Sequence, residues 1–280
     1  YDNAISLLKN KDEFQYNFIT TPGLIKDFTS HSSTLSTLIS NGQERGDTMT
    51  IVDLVNYQST ILTATTEAKA INNSYAAAYW PWVQTLDPST GQQVFVPAST
   101  LIPGVYAFND AAAEVWNAPA GTSRGVMSTA IRAERRLTKT NRDDLYKSNV
   151  NPIATLPTTG VTVFGQKTLK KKQSATDRIN VRRLLIELKT QIGNLAENLV
   201  FEQNTATTRN DFLAQVNPLL SSIQQRQGLT DFKVVMDETN NTPNVIDNNQ
   251  LVGAIFIKPT KTAEFISLNF NITSTGADFS

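Results

Sequence analysis

Residues 49–80 read MTIVDLVNYQSTILTATTEAKAINNSYAAAYW, and their pattern decides the fold of the first half of the chain. MTIVDLV at 49–55 is β-branched and mostly apolar, as a strand buried on both faces should be. A helix is expected to follow through Ile61, Leu62 and Ala68, and a second strand over 75–80. Strand–helix–strand spacing of this kind implies parallel strands joined by crossover helices. Upstream, YNFIT at 16–20 is a short apolar strand closed by the turn dipeptide Pro22-Gly23. Residues 30–41 read as a helix, with Leu35, Leu38 and Ile39 on one face and Asn41-Gly42 as its stop.

Downstream the pattern loosens and then changes. Pro119-Ala120-Gly121, a basic patch at 132–139 and the prolines at 152 and 157 describe a connector that still carries strands. A second unit is expected to open with the strand VTVFGQKTL at 161–169. The clearest helix comes next. Val181, Leu184, Leu185, Leu188, Ile192, Leu195, Ala196 and Leu199 recur at helical spacing, with Ser174 and Asp177 offering capping oxygens. Another helix is expected over 208–227, kinked at Pro218 and ended by Gly228. Strands are expected at 232–237, 251–258 and 264–273, the last with Ile266, Leu268, Phe270 and Ile272 on one face. The fold class is therefore α/β followed by α+β: a parallel-sheet domain over 1–160, then two helices on a small sheet over 161–280.

Composition removes several functions. The 25 basic and 25 acidic residues cancel, so no global field favours nucleic acid or an anionic membrane. Charged residues are 18% of the chain, below the roughly 25% usual for soluble domains, and such a surface repels copies of itself weakly. No cysteine is present, which excludes disulfide scaffolds and thiolate zinc sites. No apolar run approaches the ~18–20 residues that span a bilayer, so membrane insertion is not expected. The opening YDNAISLLKN has no signal-peptide layout, and its first helix reads as starting mid-fold, as in a fragment of a longer polypeptide. The sequons at Asn72, Asn240 and Asn271 read as chance matches.

Candidate chemistry is thin. His31 is the only histidine, no Gly-x-Ser-x-Gly elbow accompanies it, and a solvated or capping role is the simpler reading. With one His and no Cys, neither a transition-metal site nor a cofactor is expected. Asp53 and Asp87 stand at or just past strand ends, where α/β enzymes place chemistry. GVTVFGQKT at 160–168 departs from a phosphate-binding loop, because Gln166 intrudes before Lys167 and the interior spells a strand. Trp80, Trp82 and Trp116, lying among prolines, read as core or domain-junction residues. The strongest local charge is Lys167, Lys170, Lys171 and Lys172 followed by Arg178, Arg182 and Arg183. It lacks the interleaved aromatics of a nucleic-acid site, and basic charge ahead of a helix opposes the dipole at a cost an acidic partner would offset.

Residues 75–121, YAAAYWPWVQTLDPSTGQQVFVPASTLIPGVYAFNDAAAEVWNAPAG, resemble the central block of the sheath proteins of contractile phage tails. The similarity continues through FITTPGL at 18–24, GVTVFGQKTL at 160–169, INVRRLLIELKTQI at 179–192, LVFEQN at 199–204 and KPTKTAEFISLNFNI at 258–272. The resemblance implies a subtilisin-like α/β domain without a protease site, incomplete at its N-terminus here, and a sheath C-terminal domain. It further implies a structural, non-enzymatic subunit that polymerises with copies of itself around a tail tube protein. Baseplate and tail terminator proteins would be its other partners, in the tail of a virion assembled in the host bacterial cytoplasm. Contraction would drive the tube through the host envelope, and the sheath of a bacterial contractile injection particle, tailocin or type VI-like, is the alternative. In such a family terminal arms add strands to neighbouring sheets, which makes Phe265, Ile266, Leu268, Phe270 and Ile272 the expected inter-subunit strand. Burying the four aliphatic and aromatic side chains of its apolar face would contribute at most about 6–12 kcal/mol. Lys170, Lys171, Lys172, Arg182 and Arg183 are the expected contacts to the tube.

Overall fold

A computed structural model of the chain describes residues 1–265. The first half supplies α1 (Asp2–Leu7), β1 (Phe18–Ile25), α2 (Thr29–Arg45), β2 (Met49–Asp53), α3 (Ile61–Ala70) and β3 (Ala76–Trp80). Then come β4 (Val83–Leu86), β5 (Gln93–Val96), α4 (Ile102–Ala112), α5 (Gly121–Arg124), β6 (Ala130–Ala133), α6 (Lys139–Lys147), β7 (Asn151–Leu156) and β8 (Gly160–Val163). The remainder is α7 (Ile179–Glu197), α8 (Ala206–Gln225), β9 (Leu229–Val235), α9 (Pro243–Asp247) and β10 (Ala254–Pro259).

The main sheet has the order β1-β2-β3-β7-β8. Its first four strands are parallel, as the crossover spacing requires, and β8 closes one edge antiparallel to β7. Alternate residues of β2 and β3 enter two different cores, which is why these strands read as unbroken apolar runs. Ile51, Ala77 and Tyr79 pack with Ile102, Val105 and Tyr106 of α4 and with Ile179 and Ile186 of α7. Val52, Ala76, Ala78 and Trp80 pack with Leu35 and Ile39 of α2, Ala64 and Ala68 of α3, and Leu145 of α6. The result is three layers, helices on both faces of the sheet. A smaller antiparallel sheet, β5-β4-β6, carries the hairpin after Trp82.

Two expected stops are passed. β1 runs through Pro22-Gly23 to Ile25, with its register to β2 shifting between Thr20 and Ile25. Because β1 is the edge strand, Pro22 costs no ladder bond on an inner side. Helix α2 runs through Asn41-Gly42 and ends at Gly46, whose φ of 72° is the left-handed conformation a glycine adopts freely. Asn41 is buried, its Nδ2 donating to the Ile5 carbonyl of α1.

The expected division between residues 160 and 161 is corrected. It cuts through β8, whose Val161, Thr162 and Val163 pair with Thr155, Ala154 and Ile153 and bury in the first unit. A strand's periodicity does not name its partner, and here that partner lies in the preceding hairpin arm. After β8 the chain rises through a 3-10 turn at Ala175–Asp177 into α7, with Arg178 at the N-cap and no side-chain cap from Ser174 or Asp177. Pro218 stands inside α8, and β9 and β10 form a two-stranded antiparallel sheet. Their core joins Leu184 and Leu188 of α7 to Phe212, Val216, Leu220 and Ile223 of α8 and to Leu229 and Met236.

Candidate functional site

The sheet's strand ends offer the first place to look for chemistry. Asp53 lies there, 5% exposed. Its carboxylate accepts the Ser99 hydroxyl at Oδ2 (2.5 Å) and the Ser99 N–H at Oδ1 (3.2 Å). Burial pushes its pKa up to about 6, with the two Ser99 hydrogen bonds pulling the other way. His31 is committed elsewhere: Nδ1 accepts the Ile25 N–H at 3.1 Å, and the ring stands edge-on to Phe28. It therefore trims the end of β1 and forms no Ser–His–Asp relay. Asp87 caps the exposed β4–β5 turn, where hydrogen bonds from Ser89 and Thr90 hold its carboxyl down at about 2. Gly160–Val163 is strand, as the phosphate-loop reading already implied. Among the described residues no group of three His, Cys, Asp or Glu side chains converges on a metal position, and no helix is long and apolar enough to cross a membrane.

The polar groups converge instead where the two units meet, around α7. Arg182 and Arg183, expected as tube-facing residues, are 6% and 4% exposed, and that expectation is corrected for both. Arg182 donates through Nε to the Ser74 carbonyl (3.2 Å) and through Nη2 to the Ser74 hydroxyl, its guanidinium 3.9 Å from the centre of the Tyr75 ring. Arg183 forks onto Asp110 of α4, Nη1 to Oδ1 at 2.8 Å and Nη2 to Oδ2 at 2.5 Å, and lies over Tyr106. Both arginines follow Ile179 by one helical turn, on the face turned toward the sheet, so helical position overrides charge. Lys171 and Lys172 are exposed and Lys170 half-buried, and none makes an ion pair among the described residues.

Trp116 locks the second unit from the other side. It is the one member of the α7–α8 core that precedes residue 170. Its Nε1 donates to the Arg226 carbonyl (3.1 Å), the Arg226 guanidinium lies 4.9 Å from its ring centre, and Asn180 Nδ2 donates back to the Trp116 carbonyl. A salt bridge from Arg226 to Glu114 crosses the same seam at 2.8 Å. Trp80 is core, while Trp82 is half-buried and donates to the Val55 carbonyl beside Tyr57. The three indoles do not form a ligand box.

At the far end of the described chain, Glu264 docks on the start of α7. Arg178 donates to its two carboxylate oxygens at 2.6 and 3.0 Å, and Gln166 Nε2 donates to it and to Thr262. An open groove of about 580 Å³ runs between residues 173–181 and the segment from Pro259 to Phe265. Phe265, the first residue of the expected inter-subunit strand, is 82% exposed. Ile266, Leu268, Phe270 and Ile272 lie outside the described residues. Sequence reasoning singles out neither Glu264 nor Asp110. Contacts across 73 to 98 positions carry no local periodic signal.

This is an α/β body whose buried polar side chains link its own elements, the build of a structural component. The family models agree: residues 2–169 match the phage tail sheath protein central domain and residues 171–273 the phage tail sheath C-terminal domain. The chain belongs to the phage tail sheath protein family. It is 37% identical over 230 residues to the tail sheath protein of Vibrio phage KVP40, covering 81% of this chain and 33% of that protein. It is 35% identical over 232 residues to the tail sheath protein of Enterobacteria phage T4, covering 83% and 35%. The chain thus spans about a third of the length of these relatives. In fold it is similar to a chain of the anti-feeding prophage baseplate, with a TM-score of 0.78 at 22% identity over 96% of this chain and 72% of that one. A chain of the contracted sheath complex of the extracellular injection system PVC gives 0.78 at 22% over 95% and 74%. A sheath tail protein from Desulfitobacterium hafniense gives 0.61 at 12% over 92% and 59%.

Proposed function

We propose that this chain is the polymer-forming portion of a contractile tail sheath subunit. It stacks with copies of itself around a tail tube and shortens on baseplate triggering, driving the tube through the host envelope. The family match through both units carries this reading. The subunit is not an enzyme: the one histidine and the buried Asp53 are each held by structural partners. The parallel-sheet unit is a subtilisin-like scaffold put to a mechanical use. The work of contraction comes from a metastable extended lattice and consumes no nucleotide. The tube, the baseplate and the tail terminator are its partners in the virion tail, and the polymer assembles in the bacterial cytoplasm.

In this reading the strand from Phe265 to Ile272 adds to a neighbour's sheet and keeps the lattice linked while the bodies rotate. The tube contact narrows to Lys170, Lys171 and Lys172, because Arg182 and Arg183 are buried. Electron microscopy of the full-length protein tests the whole reading, with tubes of contracted-sheath diameter expected. Ending the chain after Glu264 should abolish them, and a truncated protein that still forms contractile tubes would remove the strand from the mechanism. Reversing the charge of the three lysines should weaken assembly on tubes at low salt. The likeness in fold to subunits of contractile injection particles favours a second reading, a bacterial injection particle. Neighbouring capsid and terminase genes would decide for a phage.

A further inference from the structure

Arg178, like Lys167, is a residue of the basic run to which the sheath reading gives no task. It sits at the N-cap of α7, where a cation opposes the helix dipole. Its counter-charge comes from 86 positions downstream, in the forked bond to Glu264. Glu264 is gripped a second time by Gln166, whose Nε2 lies 3.2 Å from Oε1 and 2.6 Å from the Thr262 hydroxyl. Asp177 reaches the same guanidinium at 3.2 Å, and Tyr146 and the Lys167 ammonium stand alongside. The side chains of Arg178 and Glu264 are 26% and 15% exposed, so water competes only partly for the pair.

We propose that Arg178 and Gln166 form a strap anchor. They pin Glu264 so that the segment beyond Phe265 leaves the body at a fixed point and transmits its load to the five-stranded sheet. The proposal rests on the reading that this terminal segment is held by a neighbouring subunit. Without the anchor, the last fixed points would be the pairing of Pro259 with Leu229 at the end of β10 and the Thr260 N–H on the Gly228 carbonyl. A pull on the chain end would then peel β10 from β9 one hydrogen bond at a time, the weakest way to load a two-stranded sheet. With the anchor in place the pull reaches Arg178 and Gln166 first.

From there it enters the main sheet through short links. The Gln166 carbonyl accepts the Ile179 N–H at 2.8 Å, which ties the anchor to the first turn of α7. The next residue, Lys167, donates its N–H to Asn151 Oδ1 at 2.6 Å. Asn151 is fully buried at the start of β7, and its Nδ2 donates to the Ala78 carbonyl of β3 and to the Lys167 carbonyl. Two central strands of the sheet are thus two residues removed from the point where the chain exits.

Limited trypsin digestion of the unpolymerised full chain tests the anchor. The Lys258–Pro259 bond resists trypsin, so the first cleavable bond after β10 is Lys261–Thr262, inside the strap. The exposed Lys171 and Lys172 bonds serve as an internal clock. Glu264→Gln keeps the shape and removes the charge, and should speed cleavage after Lys261 about tenfold against that clock, since digestion tracks the open population. The swap R178E/E264R adds a trypsin site after position 264, so it is scored by the fragment ending at Lys261, and there the rate should return to within about threefold of the parent. An unchanged rate in Glu264→Gln overturns the anchor, and so does a folded swap variant cleaved after Lys261 as fast as the single one. A second arm uses polymers of the full-length protein. Hydrogen exchange of Ala254–Pro259 should rise on assembly in Glu264→Gln and not in the parent, and equal protection in both polymers overturns the load path. If neither protein polymerises, the sheath reading fails while the digestion result still decides the anchor.

Discussion

Replacing Trp116 with alanine should uncouple the two units. The indole is 7% exposed and is the single contribution of the first 170 residues to the α7–α8 core. Its removal deletes the contact with Gly228, where an added Cβ would stand 3.0 Å from the ring, and the hydrogen bond to the Arg226 carbonyl. Truncating a buried tryptophan costs about 3–5 kcal/mol when the site cannot collapse. Gly228 on one side and the tied Arg226 backbone on the other leave little room for collapse here. At roughly 2–4 °C per kcal/mol for a chain of this size, the midpoint should fall by about 6–20 °C. Scanning calorimetry is the assay. The parent should unfold in one transition and Trp116→Ala in two, with helical ellipticity from α7 and α8 lost in the earlier one. Trp82→Ala is the control, because Trp82 is only half-buried and its partners Val55 and Tyr57 belong to the first unit. A Trp116→Ala protein that loses under about 1 kcal/mol, or keeps a single transition while Trp82→Ala splits, would refute the reasoning.

Three further outcomes follow from the same geometry. Removing Asp110 should cost more than removing Arg183: Asp110→Asn strands a 4%-exposed guanidinium at about 3–5 kcal/mol, whereas Arg183→Met leaves a carboxylate whose side chain is 28% exposed and can hydrate, a difference that urea midpoints would register. Asp53 is raised from 3.8 to about 6, so the folded state holds its proton more tightly than the unfolded chain, and this contribution is present below about pH 4 and lost as pH rises to about 6. Asp53→Asn should therefore gain on the parent by up to about 3 kcal/mol between pH 4 and 7, and parallel stability–pH curves would exclude the effect. Gly228→Ala places a Cβ 2.6 Å from Ile223 Cγ2 and should cost about 1–3 kcal/mol, with part of that penalty vanishing in a Trp116→Ala background, as a double-mutant cycle of melting curves would show.

What was legible in the sequence was what periodicity encodes. The apolar runs at 49–55 and 75–80 became the doubly buried β2 and β3, and the helical stripe from Val181 became α7. What failed was partner assignment. The 161–169 strand reads the same whether it opens a new sheet or closes an old one, and pairing with β7 settled it. Charge alone places Arg182 and Arg183 on the surface, yet both lie one turn from Ile179, and Ile186 continues that face into the sheet-side core. That spacing was available and pointed inward, and a guanidinium tolerates burial where a carboxylate and an aromatic face receive it. Pro22 reads as a stop because its tolerance at an edge depends on strand order, which no local pattern contains.

Helix α7 explains why motion in this molecule belongs at its exits. Ile179 and Ile186 sit in the sheet core, and Leu184 and Leu188 in the core of the second unit, so one rigid rod is shared by both. From Ile179 to Leu184 every residue is buried. A hinge between the units would have to break this rod or strip one of its faces, and each fully buried Leu or Ile lost to water costs about 1.5–3 kcal/mol. Arg182, Arg183, Trp116 and the Arg226–Glu114 pair add cross-links along the same seam. If the sheath lattice proposed above rearranges without dissolving, such a body turns in it as one piece. On the proposed reading its compliance falls outside this body, and the Arg178–Glu264 fork is the last side-chain tie to it among the described residues.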